Sequence, residues 1–177
     1  MLWRNLIGLA SAALVITGLT GCGFQPLYAS KGASGSDTVA HLAAIRIGPI
    51  PNRSGQRLRN SLQDKLTPRG KDRAALYRLE VLLKESRSDF MILQDATSTL
   101  AKMRISAKYV LNDMRSGKPL TRGTSESTTI FNIVESGFAN LNAQSDARAR
   151  AVNEISDDIR LRLGLFFKRQ KVIKGGR

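Results

Sequence analysis

What the 177-residue chain lacks narrows its chemistry first. It has one cysteine, Cys22, and one histidine, His41. A disulfide needs two thiols, a zinc site needs clustered ligands, and Cys–His or Ser–His–Asp catalysis needs partners that this chain does not assemble. His41, at the start of the domain, reads as a surface histidine. Carboxylates are also few, 14 Asp and Glu against 28 Lys and Arg. Asp157 and Asp158 are adjacent and leave a helix on different sides; Glu154, Asp158 and Arg162 form an i, i+4 row that reads as a solvated salt-bridge face. A glycine-rich phosphate loop is missing too. Catalysis, a metal and a cofactor are therefore not expected. Aromatics make up only 6% of the chain, and the basic strand positions have no stacking aromatics beside them, which argues against a nucleic-acid platform.

Long apolar runs are scarce, with one exception. Residues 6–19 carry no charge and follow a start whose only charge is Arg4. That is the layout of a secretory signal, and the run is shorter than the roughly 20 residues that span a bilayer as a helix. It ends in Leu19-Thr20-Gly21-Cys22, which resembles a lipobox. The alternative is a plain signal peptide or an N-terminal anchor helix with Cys22 incidental. The position of the only cysteine, at the one place lipid attachment requires it, favours the lipobox. Cleavage before Cys22, a diacylglycerol on its thiol and an acyl chain on its freed amine are then expected. At about 0.8 kcal/mol per buried methylene one chain binds reversibly, and two or more hold stably. With the thiol used, folding must rest on an ordinary packed core.

Charge is what the chain has in excess. Removing residues 1–21 takes away only Arg4, so 156 residues remain with a formal charge of +13. That length suits one domain. In a cytosolic protein such a field would suggest nucleic acid; an exported one meets anionic lipid headgroups and lipopolysaccharide instead. Solvated Lys and Arg that serve solubility are the plainer reading of any single patch. Residues 22–38 read as the lipidated N-terminus and a Gly/Ser-rich flexible tether, residues 39–167 as the globular domain, and residues 168–177 as a basic tail.

Within the domain the hydrophobic period changes several times. Ala44, Ile45 and Ile47 form a short strand stopped at Gly48-Pro49-Ile50-Pro51. Asn52 or Ser54 can cap a helix whose Leu58, Leu62 and Leu66 recur at i+4. Tyr77, Leu79, Val81 and Leu83 alternate with Arg78, Glu80 and Lys84, a strand with one buried face. Ala101 to Leu111 alternate with Lys102, Arg104, Ser106 and Lys108 in a longer strand, and Arg115-Ser116-Gly117-Lys118-Pro119 supplies a hairpin turn. The return strand, residues 120–131, is rich in Thr and Ser. From Phe138 the period becomes helical, with Leu141, Val152, Ile155, Ile159, Leu163 and Phe166 as the core stripe.

The order β-α-β-β-β-α predicts an α+β fold, a two-layer sandwich of two helices packed on a four-stranded sheet. The first two strands, joined through a helix, can pair in parallel. The other sheet face is then uncovered and carries Lys102, Arg104 and Lys108, as either a solvated face or a contact for a polar partner. Arg53, Arg57 and Arg59 form a rival basic patch on the first helix, for which a solvated helix face is the plainer reading.

Cys22-Gly23-Phe24-Gln25-Pro26-Leu27-Tyr28 resembles the opening of the LPS-assembly lipoprotein family, LptE type, in its alphaproteobacterial form. Arg53-Ser54-Gly55-Gln56-Arg57-Leu58-Arg59-Asn60 resembles that family's first-helix entry, and Phe138-Ala139-Asn140-Leu141 with Asp146-Ala147-Arg148-Ala149-Arg150-Ala151 its long C-terminal helix. The resemblance implies a non-catalytic outer-membrane lipoprotein of the LPS translocon. It would plug and assist assembly of a large β-barrel partner of LptD type, and bind lipopolysaccharide. Gly23 after the cysteine, rather than Asp, is similar to lipoproteins sent to the outer membrane. Lys102, Arg104 and Lys108, with Arg115 and Lys118 in the hairpin, are the expected contacts for LPS or the barrel. The alternative is a generic envelope lipoprotein that binds anionic envelope components without a translocon.

Overall fold

A computed structural model describes residues 33–67, 74–91, 99–133 and 136–175. The expected signal peptide, Cys22 and the motif through Tyr28 lie outside the described residues. The element order is α1 (Ala33–Ala43), β1 (Ile45–Ile47), α2 (Asn52–Leu66), β2 (Tyr77–Met91), β3 (Thr99–Asp113), β4 (Pro119–Ile133) and α3 (Gly137–Gly175). Four strands form one sheet in the order β1-β2-β3-β4. β1 pairs in parallel with the start of β2, and the other two pairings are antiparallel. The expected α+β architecture is present, with one helix more than the sequence suggested. α1 begins at Ala33, inside the segment read as a tether. Its Leu42 is buried, and Thr38 is buried as well.

Alternation decides which face is covered. Ala101, Met103, Ile105, Ala107, Tyr109 and Leu111 of β3 point into the core, as does Leu79 of β2. Against them pack Leu58, Leu62 and Leu66 of α2 and Ala147, Ala151, Val152, Ile155, Ile159 and Leu163 of α3. The two helices meet through Ser156, fully buried, whose hydroxyl lies 2.8 Å from that of Ser61 and accepts a hydrogen bond from Lys65 Nζ at 2.7 Å. Lys65 also pairs with Asp157 at 2.7 Å.

α2 starts differently from the expectation that Asn52 or Ser54 caps it. Pro51 occupies the cap position without a side-chain hydrogen bond, and Asn52 has φ 70°. The Ser54 hydroxyl instead donates to Glu85 Oε2 at 2.8 Å, and Arg148 Nε of α3 donates to Glu85 Oε1 at 2.6 Å. One carboxylate thus ties both helices to β2. Gly55 allows this close seating, since a Cβ there would stand 2.6 Å from Ile50 Cγ2 and 2.9 Å from the Ile50 carbonyl oxygen.

The Thr/Ser-rich strand owes its composition to α3. Ser125 and Ser127 are buried on the covered face, and Ser127 donates to Glu154 Oε2 at 2.6 Å. Asp158 accepts from Arg162 Nε at 2.8 Å. Burial raises the Asp158 pKa, but hydrogen bonds from Arg162 and Ser125 and the Arg162 charge outweigh it, so the carboxyl is held below its ordinary value. The row Glu154–Asp158–Arg162 thus carries the ion pair read from the sequence, with Glu154 and Arg162 exposed, and its inner side also forms a polar seam against β4.

α3 is longer than the layer it covers. Its 39 residues extend about 58 Å. Leu141, placed on the core stripe by its spacing, is 67% exposed, and nearby Phe138 is 77% exposed, because both precede the part of α3 that α2 covers, which begins near Ser145. At the other end the basic segment read as a tail continues the helix through Gly175. There Phe167 is buried, and His41 stacks on it at 5.0 Å between centroids, with its Nδ1 3.0 Å from the Tyr77 hydroxyl. His41 is thus a half-buried histidine packed on two rings rather than a free surface one.

Candidate functional site

The uncovered sheet face carries the candidate site. On β3 the positions between the core residues are Lys102, Arg104, Ser106, Lys108 and Val110, about 6.6 Å apart along the strand. Registers place a row of neighbours on each side, about 4.8 Å away. Lys102 lies between Ser88 and Ile130, Arg104 between Ser86 and Thr128, Ser106 between Lys84 and Glu126, and Lys108 between Leu82 and Thr124. Val110 then lies between Glu80 and Arg122, and Arg78 pairs with Arg46 of β1.

The face therefore joins seven bases (Arg46, Arg78, Lys84, Lys102, Arg104, Lys108 and Arg122) with two acids, Glu80 and Glu126. Glu126 is engaged, accepting from the Ser106 hydroxyl at 3.1 Å. None of Lys102, Arg104 and Lys108 closes a salt bridge with a described residue. The surface is not purely polar, for Leu82 and Ile130 are 54% and 55% exposed on it. Basic groups in rows with apolar side chains between them suit an anion attached to an apolar body.

Arg115 and Lys118 are not part of this cluster. They sit in the β3–β4 turn, five residues or more beyond Lys108, or about 17 Å along the strand. Asp113 organises that turn: its Oδ1 accepts the amides of Ser116 at 2.9 Å and Arg115 at 2.8 Å, and those two hydrogen bonds lower its pKa. Gly117 takes φ 68° there. Both cations are exposed and held on a defined turn, as a separate tip.

The rival patch on α2 is largely absorbed by packing. Arg57 reaches across to the carbonyl oxygen and hydroxyl of Ser145 on α3 at 3.4–3.5 Å, and Arg59 is half-buried against β1; Arg53 remains exposed. Sequence reasoning missed Arg46 and Arg122 as members of the face. Their parity was readable, but only the register brings them beside β3. Among the described residues no group of three His, Cys, Asp or Glu could hold a metal ion, and no helix is long and apolar enough to cross a membrane.

Comparison with known proteins agrees with this architecture. A crystal structure of a Caulobacter crescentus protein assigned as a lipoprotein matches with a TM-score of 0.60 at 22% identity, over 74% of this chain and 96% of that one. A minor lipoprotein from Acinetobacter baumannii matches with a TM-score of 0.54 at 16% identity, over 68% and 91%. At such identities the likeness is one of fold. No curated protein matches by sequence. The family model for LptE, lipopolysaccharide-assembly, matches residues 42–163, from the end of α1 to the buried part of α3. Since that match covers well over half of the chain, the protein belongs to the LptE family and acts in lipopolysaccharide assembly.

Proposed function

We propose that this protein is an outer-membrane lipoprotein, anchored through Cys22, that plugs and assists assembly of the large β-barrel of the LPS translocon and binds LPS at its open sheet face. The observation that carries the reading is that face, where seven bases and exposed Leu82 and Ile130 share one surface on a rigid sheet. Lipid A offers phosphates for the Lys and Arg and acyl chains for the apolar side chains, and Arg can hold a phosphate bidentately. The same polar face suits the hydrophilic lumen of a transmembrane barrel. Family membership in LPS assembly supports the choice of ligand.

The test is charge reversal of the central strand, Lys102→Glu, Arg104→Glu and Lys108→Glu together. Each lost charge-assisted phosphate contact contributes about 1 kcal/mol at an exposed site, so the triple variant should bind LPS about 100-fold more weakly at low salt. The difference should shrink as ionic strength rises. Equal binding by variant and wild type at low salt refutes the assignment. Co-purification of wild type with a very large β-barrel in a one-to-one complex tests the plug, and its absence favours a generic envelope lipoprotein. Incorporation of labelled palmitate, lost in Cys22→Ala, tests the anchor.

A further inference from the structure

One cavity lies apart from the central rows of the open sheet face. It sits between β1 and the C-terminal half of α2 and has a volume of about 250 Å³. Arg46 lines it from β1, Arg59 and Gln63 from α2, and Thr67 from just beyond that helix. The remaining described lining residues are alanines and isoleucines, so among the described residues two bases line the space and no acid does.

Arg59 sets the chemistry. Its Nε is shut off from solvent and has no hydrogen-bond partner among the described residues. Its own helix supplies no counter-charge, because the residues three and four positions away are Gly55, Gln56, Leu62 and Gln63. Neither Arg59 nor Arg46 closes a salt bridge with a described residue. A buried charged donor left unbonded is costly, and such groups ordinarily find a protein, water or ion partner. The side of a guanidinium that carries Nε and one Nη is a fork that holds two oxygens of a phosphate at once. Two carbonyl oxygens that would repel an anion here are already engaged. That of Gln63 accepts the Thr67 amide at 2.9 Å, and that of Ala44 accepts the amides of Leu76 and Tyr77 at 3.0 and 3.2 Å. The Thr67 hydroxyl and the Gln63 side-chain amide add neutral donors.

We propose that this cavity binds a phosphate monoester, held side-on by the Arg59 fork and neutralised from the β1 side by Arg46. The dianion balances two guanidinium charges, and its three terminal oxygens serve both arginines and a neutral donor. Liquid water takes about 30 Å³ per molecule, so the cavity equals about eight waters. That exceeds a bare phosphate and leaves room for the group it esterifies. Arg46 also pairs with Arg78 at the margin of the open face, but the inference does not rest on lipopolysaccharide binding there or on a barrel partner.

The test uses the full mature chain in detergent, with glucose 1-phosphate and inorganic phosphate as probes. Glucose 1-phosphate should shift the Arg59 Nε–H resonance and bind with one-to-one stoichiometry in calorimetry. Arg59→Gln should weaken it about tenfold, the loss of one charge-assisted bidentate contact. Arg59→Lys, which keeps the charge but not the fork, should recover only part of that loss. Arg46 is exposed, so Arg46→Gln keeps the fold and should weaken binding about threefold. Arg53→Gln, an exposed base elsewhere on α2, should leave it unchanged. Inorganic phosphate should bind more weakly than glucose 1-phosphate, because it leaves part of the cavity to water. At physiological salt, which screens charges beyond about 8 Å, the Lys102, Arg104 and Lys108 reversal should change this affinity by no more than about twofold. Failure of the open-face reading is thereby distinguished from failure of this one. An Arg59 resonance that does not move, an equal loss in Arg53→Gln, or equal affinity for inorganic phosphate would each overturn the proposal.

Discussion

Replacing Gly55 by alanine should destabilise this protein, although glycine-to-alanine changes in helices ordinarily do the opposite. Alanine is favoured over glycine inside a helix by about 1 kcal/mol. At Gly55 the added Cβ would meet Ile50 Cγ2 at 2.6 Å, the Ile50 carbonyl oxygen at 2.9 Å and the Ile50 carbonyl carbon at 3.0 Å. The first contact can be relieved by rotating a side chain, but the other two involve backbone, held between β1 and Pro51. Ile50 is itself only 4% exposed. Overpacking of this kind costs about 1–3 kcal/mol, and more when backbone must move. The helical gain offsets part of it, leaving a net loss of about 1–2 kcal/mol and a fall in Tm of about 3–8 °C. Thermal melts by circular dichroism measure this directly. Gly137→Ala is the control, because a Cβ there meets nothing within 4 Å; it should leave Tm unchanged or raise it. A Gly55→Ala variant that melts at or above wild type would refute the packing argument.

Other outcomes separate the real core from the one suggested by spacing. Leu62→Ala removes a fully buried side chain and should cost about 2–5 kcal/mol in urea unfolding, whereas Leu141→Ala, 67% exposed, should stay within about 0.5 kcal/mol. Because the folded pKa of Asp158 is lowered, its partners stabilise the protein above the unfolded value of about 3.9, and that contribution is lost as pH falls through the folded value. Asp158→Asn should therefore be less stable than wild type at neutral pH and show a shallower loss of Tm on acidification; an unaltered pH dependence would show that the seam with β4 is not coupled to folding. A urea titration of Glu85→Gln should show both helices loosening together, as a single transition of lower midpoint, since one carboxylate holds Ser54 and Arg148.

Much of the architecture is written in local periods. Leu58, Leu62 and Leu66 at i+4 make one helix face whatever surrounds them, and the alternation through Ala101–Leu111 leaves Lys102, Arg104 and Lys108 on the opposite side of the strand by pleat geometry alone. The basic face was legible for that reason, since a period of two is a property of the chain and not of its neighbours. Arg46 and Arg122 were not assigned to it, because membership there depends on register between strands, which no single segment encodes. The Thr/Ser-rich composition of β4 did not say which serines are covered; Ser125 and Ser127 are buried where α3 carries carboxylates to meet them.

The chain by itself determined which residues share a face, and hence the order of elements, the apolar stripes and the excess of positive charge on one side of a strand. Tertiary structure decided whether each face is covered. Leu141 repeats nearly in phase with Ile155 but stands exposed before the part of α3 that α2 covers, while His41, with nothing local to bury it, is half-buried against Phe167 and Tyr77 from distant parts of the chain. Periodicity reports the direction of a side chain; burial depends on the lengths and meeting points of other elements, which only the assembled layers supply.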